Sequence, residues 1–136
     1  MDNTILNVTF EGGMTVTAAI RQFAIATDQS AQHGGADSAP TPFELLFASL
    51  ATCAGVFAKR FCDKKGIATE GVHLRVECEP DPDPKKYRMQ RVHTVVVVPE
   101  SFPKEYETAL IRTVEGCPVK KQILEPPQFS TSVERA

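Results

Sequence analysis

Two cysteines stand where thiol chemistry could be built. Cys53 lies inside the apolar run PFELLFASLATCAGVFAKRFC, residues 42–62, and its nearest neighbours are small: Ala48, Ser49, Ala51, Thr52, Ala54 and Gly55. Small side chains leave room for a ligand or a second backbone to approach the sulfur, although close helix–sheet contact asks for the same residues. Cys117 lies in EGCPVKK, residues 115–121, where Pro118 marks the first turn of a helix and places the cysteine at or beside its N-cap. Unpaired N–H groups and the helix dipole favour a thiolate there, and Lys120 and Lys121 add positive potential. Cys53, in apolar surroundings, is by itself a poorly ionised thiol. The thiolate is the reactive form, so this contrast bears directly on what the pair could do.

The default reading of a buried free cysteine is packing. That reading suits Cys62 and Cys78, and on composition alone it suits Cys53 too. No C-x-x-C occurs, and His33, His73 and His93 show no ligand spacing, so no structural metal is expected. No cofactor motif is present either. The N-terminus MDNTILNVTFEGG lacks the basic start and apolar stretch of a signal peptide. A cytoplasmic, reducing setting is therefore expected, in which a disulfide framework would be unusual.

Length and composition suggest one globular domain over residues 1–136, with 42% hydrophobic and 24% charged residues. The formal net charge is −2 and no charge block is long, which speaks against nucleic acid and anionic membranes as partners. The run from residue 42 to 58 is short for a membrane span and includes Glu44. A helix buried in protein explains it better.

The elements that must position the cysteines follow from patterning. Residues 3–10 and 14–27 read as an antiparallel sheet of two or three strands around the EGG turn. DQSAQHGGADSAP, residues 28–40, is a long loop of small residues, a type often tied to function. Thr41 and Glu44 have the spacing of a capping box, Pro42 suits the first helical turn, and Gly66 stops a helix running to about Lys65. That helix is apolar on all sides over its first two-thirds, which demands cover from a sheet and from something else; a second subunit is an economical source. Strands in GVHLRVECEP and YRMQRVHTVVVVP pair as a hairpin, an amphipathic helix follows Pro103, CPVKKQILEP forms a short helix, and QFSTSVE a closing strand. The order is α+β.

These residues converge on a recognisable pattern. The sequence PTPFELLFASLATC followed about 60 residues later by CPVKK resembles the OsmC/Ohr family of osmotically induced and organic-hydroperoxide-resistance proteins, and in particular its divergent OsmC-like branch. The resemblance implies an α+β fold with antiparallel sheets around a long buried cysteine-bearing helix, in an intertwined homodimer. It also implies that Cys53 attacks a peroxide and Cys117 resolves the sulfenic acid as a disulfide. Two features depart from the pattern. Family peroxidases carry an arginine before the helix, whereas this chain has none between Arg21 and Arg60. They also carry a glutamate ten residues before the cysteine; Phe43 stands there, and Glu44 lies one residue later, about 100° further around a helix. Glu44 and His33 are the nearest candidates for supporting roles, although a cap and a solvated loop residue describe them as well.

Two functional readings follow. The first is a thiol peroxidase for small hydrophobic organic hydroperoxides, with Cys53 and Cys117 as the redox pair, Phe43, Leu46, Phe47 and Phe57 as apolar lining, and a dithiol reductant completing the cycle. The second is an OsmC-like small-ligand or thiol-carrier protein without peroxidase activity. Sulfurs far apart in the fold would leave only a structural dimer.

Overall fold

The computed structural model describes residues 1–136. Contacts within the chain group into two compact units, Met1–Ala48 and Ser49–Ala136, and the division falls inside one continuous helix.

The first unit contains a three-stranded antiparallel meander: β1 (Asn7–Gly12), β2 (Thr15–Ile20) and β3 (Phe23–Thr27). Three strands form where the sequence left two or three open. The β1–β2 reversal uses Gly12 and Gly13, both at positive φ, and a register shift between Phe10 and Gly12. Arg21, also at positive φ, carries the short β2–β3 reversal. The register sets Val8 opposite Ala18 and Ala18 opposite Ile25, with Phe10 opposite Val16 and Ile20 opposite Phe23. Side chains alternate along a strand, so these apolar residues share one face of the sheet. In the chain that face is open: Phe10 is 87% exposed and Val8, Phe23 and Ile25 are exposed as well.

α1 spans Pro42–Lys65. Its start is the expected capping box: the Glu44 N–H donates to Thr41 Oγ1 and the Thr41 N–H to Glu44 Oε1, each at 3.1 Å. Its end is a Schellman motif, with Gly66 at φ 68°, the Gly66 N–H on the Asp63 carbonyl and the Ile67 N–H on the Cys62 carbonyl. Ile67 then packs on the cluster that contains Cys62, the apolar contact that accompanies such an ending.

In the second unit, β4 (His73–Pro80) and β5 (Met89–Val97) form the expected antiparallel hairpin, joined by a turn in which Asp81 accepts the Asp83 N–H and the Arg88 guanidinium. The helix after Pro103 begins as one 3₁₀ turn, Lys104–Tyr106, and continues as α2 (Glu107–Glu115). α3 (Pro118–Leu124) is the short last helix. Ala54, Ala58, Phe61 and Cys62, at helical spacing on α1, meet Phe102, Leu110 and Val114 in the core, with Leu74, Val96, Val98 and Tyr106 packed around them.

The structure corrects one expectation. QFSTSVE does not form a strand; residues 125–136 are irregular, with Phe129 and Val133 exposed. A strand needs an edge to pair with, and none in the chain takes this segment. The central helix is not enclosed by its own chain, which fits the expectation that one chain has too little material to cover it: only Ala54, Ala58, Phe61 and Cys62 of α1 are buried, while Leu46 and Val56 are exposed. By length and composition α1 could cross a membrane, a test that core helices also pass.

Candidate functional site

The fold brings the two singled-out cysteines together. Cys53 lies one residue before Ala54 on α1, at the border of the buried stripe, and is half-buried. Cys117 follows Gly116 at the end of α2 and is the N-cap of α3, with Pro118 behind it. Its backbone is tied at both ends: its N–H donates to the Val114 carbonyl and its carbonyl accepts the Lys121 N–H. Its side chain is buried, 2% exposed. The two thiols are within hydrogen-bonding reach of each other, and neither is in a disulfide.

Their electrostatics differ in sign. Burial pushes the Cys53 thiol up, and so does donating its hydrogen bond to Cys117; the Val119 N–H and the charge of Arg60 oppose this without reversing it. Burial also works against ionisation of Cys117. There, however, the hydrogen bond from Cys53, the N–H groups of Lys120 and Val119 and the Lys120 ammonium together hold the thiol below its ordinary range. Neither N–H closes a full capping bond onto the sulfur, so the effect is the summed field of the first turn rather than one strong contact. Of the two thiols, Cys117 is the one whose surroundings favour ionisation and Cys53 the one whose surroundings oppose it.

The other candidates are placed as follows. Glu44 is exposed and engaged in the cap of α1. His33 is exposed in a 3₁₀ turn, Ala31–His33, with Nδ1 2.8 Å from Ser30 Oγ. The rings of Phe43 and Phe47 meet edge to face at 5.1 Å, Leu46 is exposed, and Phe57 is half-buried under the Arg60 guanidinium, 5.6 Å from the ring centroid. Cys62 is wholly buried with a raised pKa, caused first by burial, as suits packing. Cys78 is half-buried on β4 opposite Val92.

Sequence reasoning missed two contributors. Arg60 acts on Cys53 from seven residues further along α1, two turns away on the same face, a spacing that was readable. Asp28 was passed over as a loop residue. It is 1% exposed, and its carboxylate accepts the N–H groups of Gln29, Ala36 and Ser38 and the Ser38 hydroxyl, at 2.6–3.1 Å. These bonds hold its pKa down to about 2, the Ser38 hydroxyl contributing most. Asp28 thus organises the loop of residues 28–38.

A family profile described as OsmC-like protein matches residues 34–132, most of the chain. The chain belongs to the OsmC-like family. No curated protein matches it. Among solved structures, a protein from Psychrobacter arcticus 273-4 named for osmotic stress induction and a detoxification response is 25% identical with a TM-score of 0.75, over 90% of this chain and 89% of that one. An OsmC-like protein from Mycoplasma pneumoniae is 16% identical with a TM-score of 0.69, over 92% and 89%. An organic hydroperoxide resistance protein OsmC from Legionella pneumophila is 18% identical with a TM-score of 0.58, over 90% of each chain. At such identities the last two speak for the OsmC-like fold alone.

Proposed function

We propose that this OsmC-like protein is a thiol-dependent peroxidase that reduces small hydrophobic organic hydroperoxides through Cys53 and Cys117. The observation that carries the reading is the pairing itself: two cysteines remote in sequence, on α1 and at the N-cap of α3, near enough to shift each other's ionisation and pushed in opposite directions. The substrate class is the one named for the organic hydroperoxide resistance protein that has this fold, and it is part of the proposal.

The working form in this reading is a cytoplasmic homodimer. The apolar face of β1–β3 and the exposed residues of α1 are two surfaces that a single chain leaves open, and a second copy would cover them. Phe43, Leu46, Phe47 and Phe57 would line the apolar approach to Cys53. A dithiol reductant returns the disulfide to the starting state. No metal or cofactor takes part.

Addition of one equivalent of cumene hydroperoxide to the reduced protein, followed by peptide mapping, tests the reading. A Cys53–Cys117 disulfide and release of the alcohol are expected; an unchanged dithiol would overturn it. The raised thiol of Cys53 favours a second reading, a small-ligand or thiol-carrier protein. That reading predicts ligand capture without alcohol release.

A further inference from the structure

We propose that a cavity between the two turns flanking the β4–β5 hairpin binds a small organic cation, an ammonium group carried on a compact apolar body. The site involves neither Cys53 nor Cys117 and stands apart from the peroxidase reading.

The hairpin register sets His73 opposite Val97, so the chain entering β4 and the chain leaving β5 emerge side by side. Each of these segments is a β-turn. In Thr69–Val72 the Val72 N–H donates to the Thr69 carbonyl at 2.9 Å, and Gly71, at φ 78°, takes the conformation that a type II turn needs at its third residue. In Pro99–Phe102 the Phe102 N–H donates to the Pro99 carbonyl, also at 2.9 Å. The turns touch each other: a Cβ on Gly71 would lie 3.4 Å from Pro99 Cβ. Pro99 and Pro103 fix the backbone at both ends of the second turn, and Phe102 is buried in the core cluster on which Ile67 also packs. The walls are therefore in place before a ligand arrives, which spares the ligand the cost of ordering them.

Between the turns lies a cavity of about 430 Å³, open on one side, a size that suits a small molecule. Its apolar lining is Ile67, Ala68, Pro99, Phe102 and Pro103, and each turn adds one polar residue, Glu70 from the first and Ser101 from the second. Glu70 is the one charged residue of this lining. The ion pairs of the chain join other residues, so its carboxylate is not neutralised from within. Lys65, at the end of α1, is turned onto the Tyr106 ring, 5.2 Å from its centroid, and Lys104, which follows Pro103, is not paired with Glu70. An unpaired carboxylate beside a phenyl ring and two prolines selects a positive head on an apolar body. The ammonium group meets Glu70 in a charge-assisted hydrogen bond, the Ser101 hydroxyl accepts a second N–H, and the body lies against Phe102 and the prolines. The same carboxylate repels an anion.

The experiment titrates the isotope-labelled full chain with benzylammonium, and with benzyl alcohol and benzoate as its neutral and anionic counterparts, while amide resonances are followed by NMR. Saturable shifts centred on Ala68, Glu70, Ser101 and Phe102 are expected with benzylammonium. Benzyl alcohol should bind at least about fivefold more weakly, a ratio at the upper end for an exposed ion pair and below that of a full charge-assisted hydrogen bond. Benzoate should produce no saturable shift at these residues. Glu70→Gln keeps the shape and removes the charge; it should weaken benzylammonium by a similar factor and leave benzyl alcohol unchanged. Ala68→Leu changes an exposed residue, spares the core and keeps Glu70, and by filling the cavity it should abolish the benzylammonium shifts. Absence of saturable shifts at these residues in the wild type would overturn the proposal. Benzyl alcohol binding as tightly as benzylammonium, or Glu70→Gln binding benzylammonium with wild-type affinity, would show that charge does not select the ligand and would overturn it equally. Binding undisturbed by Ala68→Leu would place the probe outside the cavity, with the same result.

Discussion

Cys53, in the middle of a 24-residue helix, and Cys117, the cap of a seven-residue helix, lie within hydrogen-bonding reach and shift each other's ionisation in opposite directions. The contact predicts selective cross-linking without any peroxide. Mild oxidation by diamide should join Cys53 to Cys117 and leave Cys62 reduced, because Cys62 is wholly buried and its thiol is pushed up by that burial. Peptide mapping that found Cys62 or Cys78 in the main product would contradict the geometry.

Asp28 predicts a distinct acid sensitivity. Its carboxylate is held at about 2 against an ordinary 3.8, mainly by the Ser38 hydroxyl and then by backbone N–H groups. A carboxyl group with a depressed folded-state pKa adds stability that is complete above its unfolded pKa and is lost as pH falls toward the folded one. The loss should therefore fall between about pH 4 and pH 2. Asp28→Asn keeps the shape but offers one acceptor oxygen in place of two. Its melting temperature at neutral pH should drop by about 5 °C or more, a shift that a modest stability loss produces in a domain of this size. The gap to the wild type should close as pH approaches 2, and a gap that stays constant with pH would remove the carboxylate from this role.

What could be read in the sequence depended on how local the signal was. The capping box of Thr41 and Glu44 and the Gly66 ending are complete within a few residues, and both were legible. So was the β4–β5 hairpin, from alternation on either side of a proline-rich turn. The N-cap position of Cys117 was legible from Pro118, and with it the direction of its charge. Its meeting with Cys53 was not, because contact between α1 and the start of α3 is a property of the tertiary fold; the family resemblance supplied that expectation. Asp28 was hidden for a similar reason. A loop aspartate is ordinarily solvated, and only the closed path of residues 28–38 turns its carboxylate inward. The closing strand failed because alternation marks a segment able to pair but does not provide the edge.

Two glycines separate steric need from helix propensity. A Cβ on Gly35 would lie 1.9 Å from the Gln29 carbonyl oxygen and 2.8 Å from Asp28 Oδ1, so backbone and carboxylate would have to move together. Gly35→Ala should cost about 1–3 kcal/mol or more, as forced overpacking does, and should undo the Asp28 pKa shift. A Cβ on Gly55, in α1, meets nothing within 4 Å. Gly55→Ala should raise the stability of the single chain by about 0.5–1 kcal/mol through helix propensity. Urea unfolding at low protein concentration checks both signs.

The apolar face of the β1–β3 sheet gives the test of self-association. Phe10 is 87% exposed, so replacing it removes almost no contact within the chain and should leave the monomer folded. On the opposite face of the same strand, Thr9 is also exposed and its hydroxyl donates to Glu11. If a second copy covers the apolar face, Phe10→Glu buries a charge in the interface and should weaken the dimer by at least about tenfold, whereas Thr9→Gln should not. Sedimentation velocity across a dilution series reads the difference. Equal self-association in the two variants would place the partner elsewhere, and a wild type that stays monomeric at high concentration would leave the face open in solution. The activity of Phe10→Glu then reports on α1. Should the partner also cover Leu46 and Val56, peroxide turnover will fall with the dimer, although Cys53 and Cys117 remain on one chain.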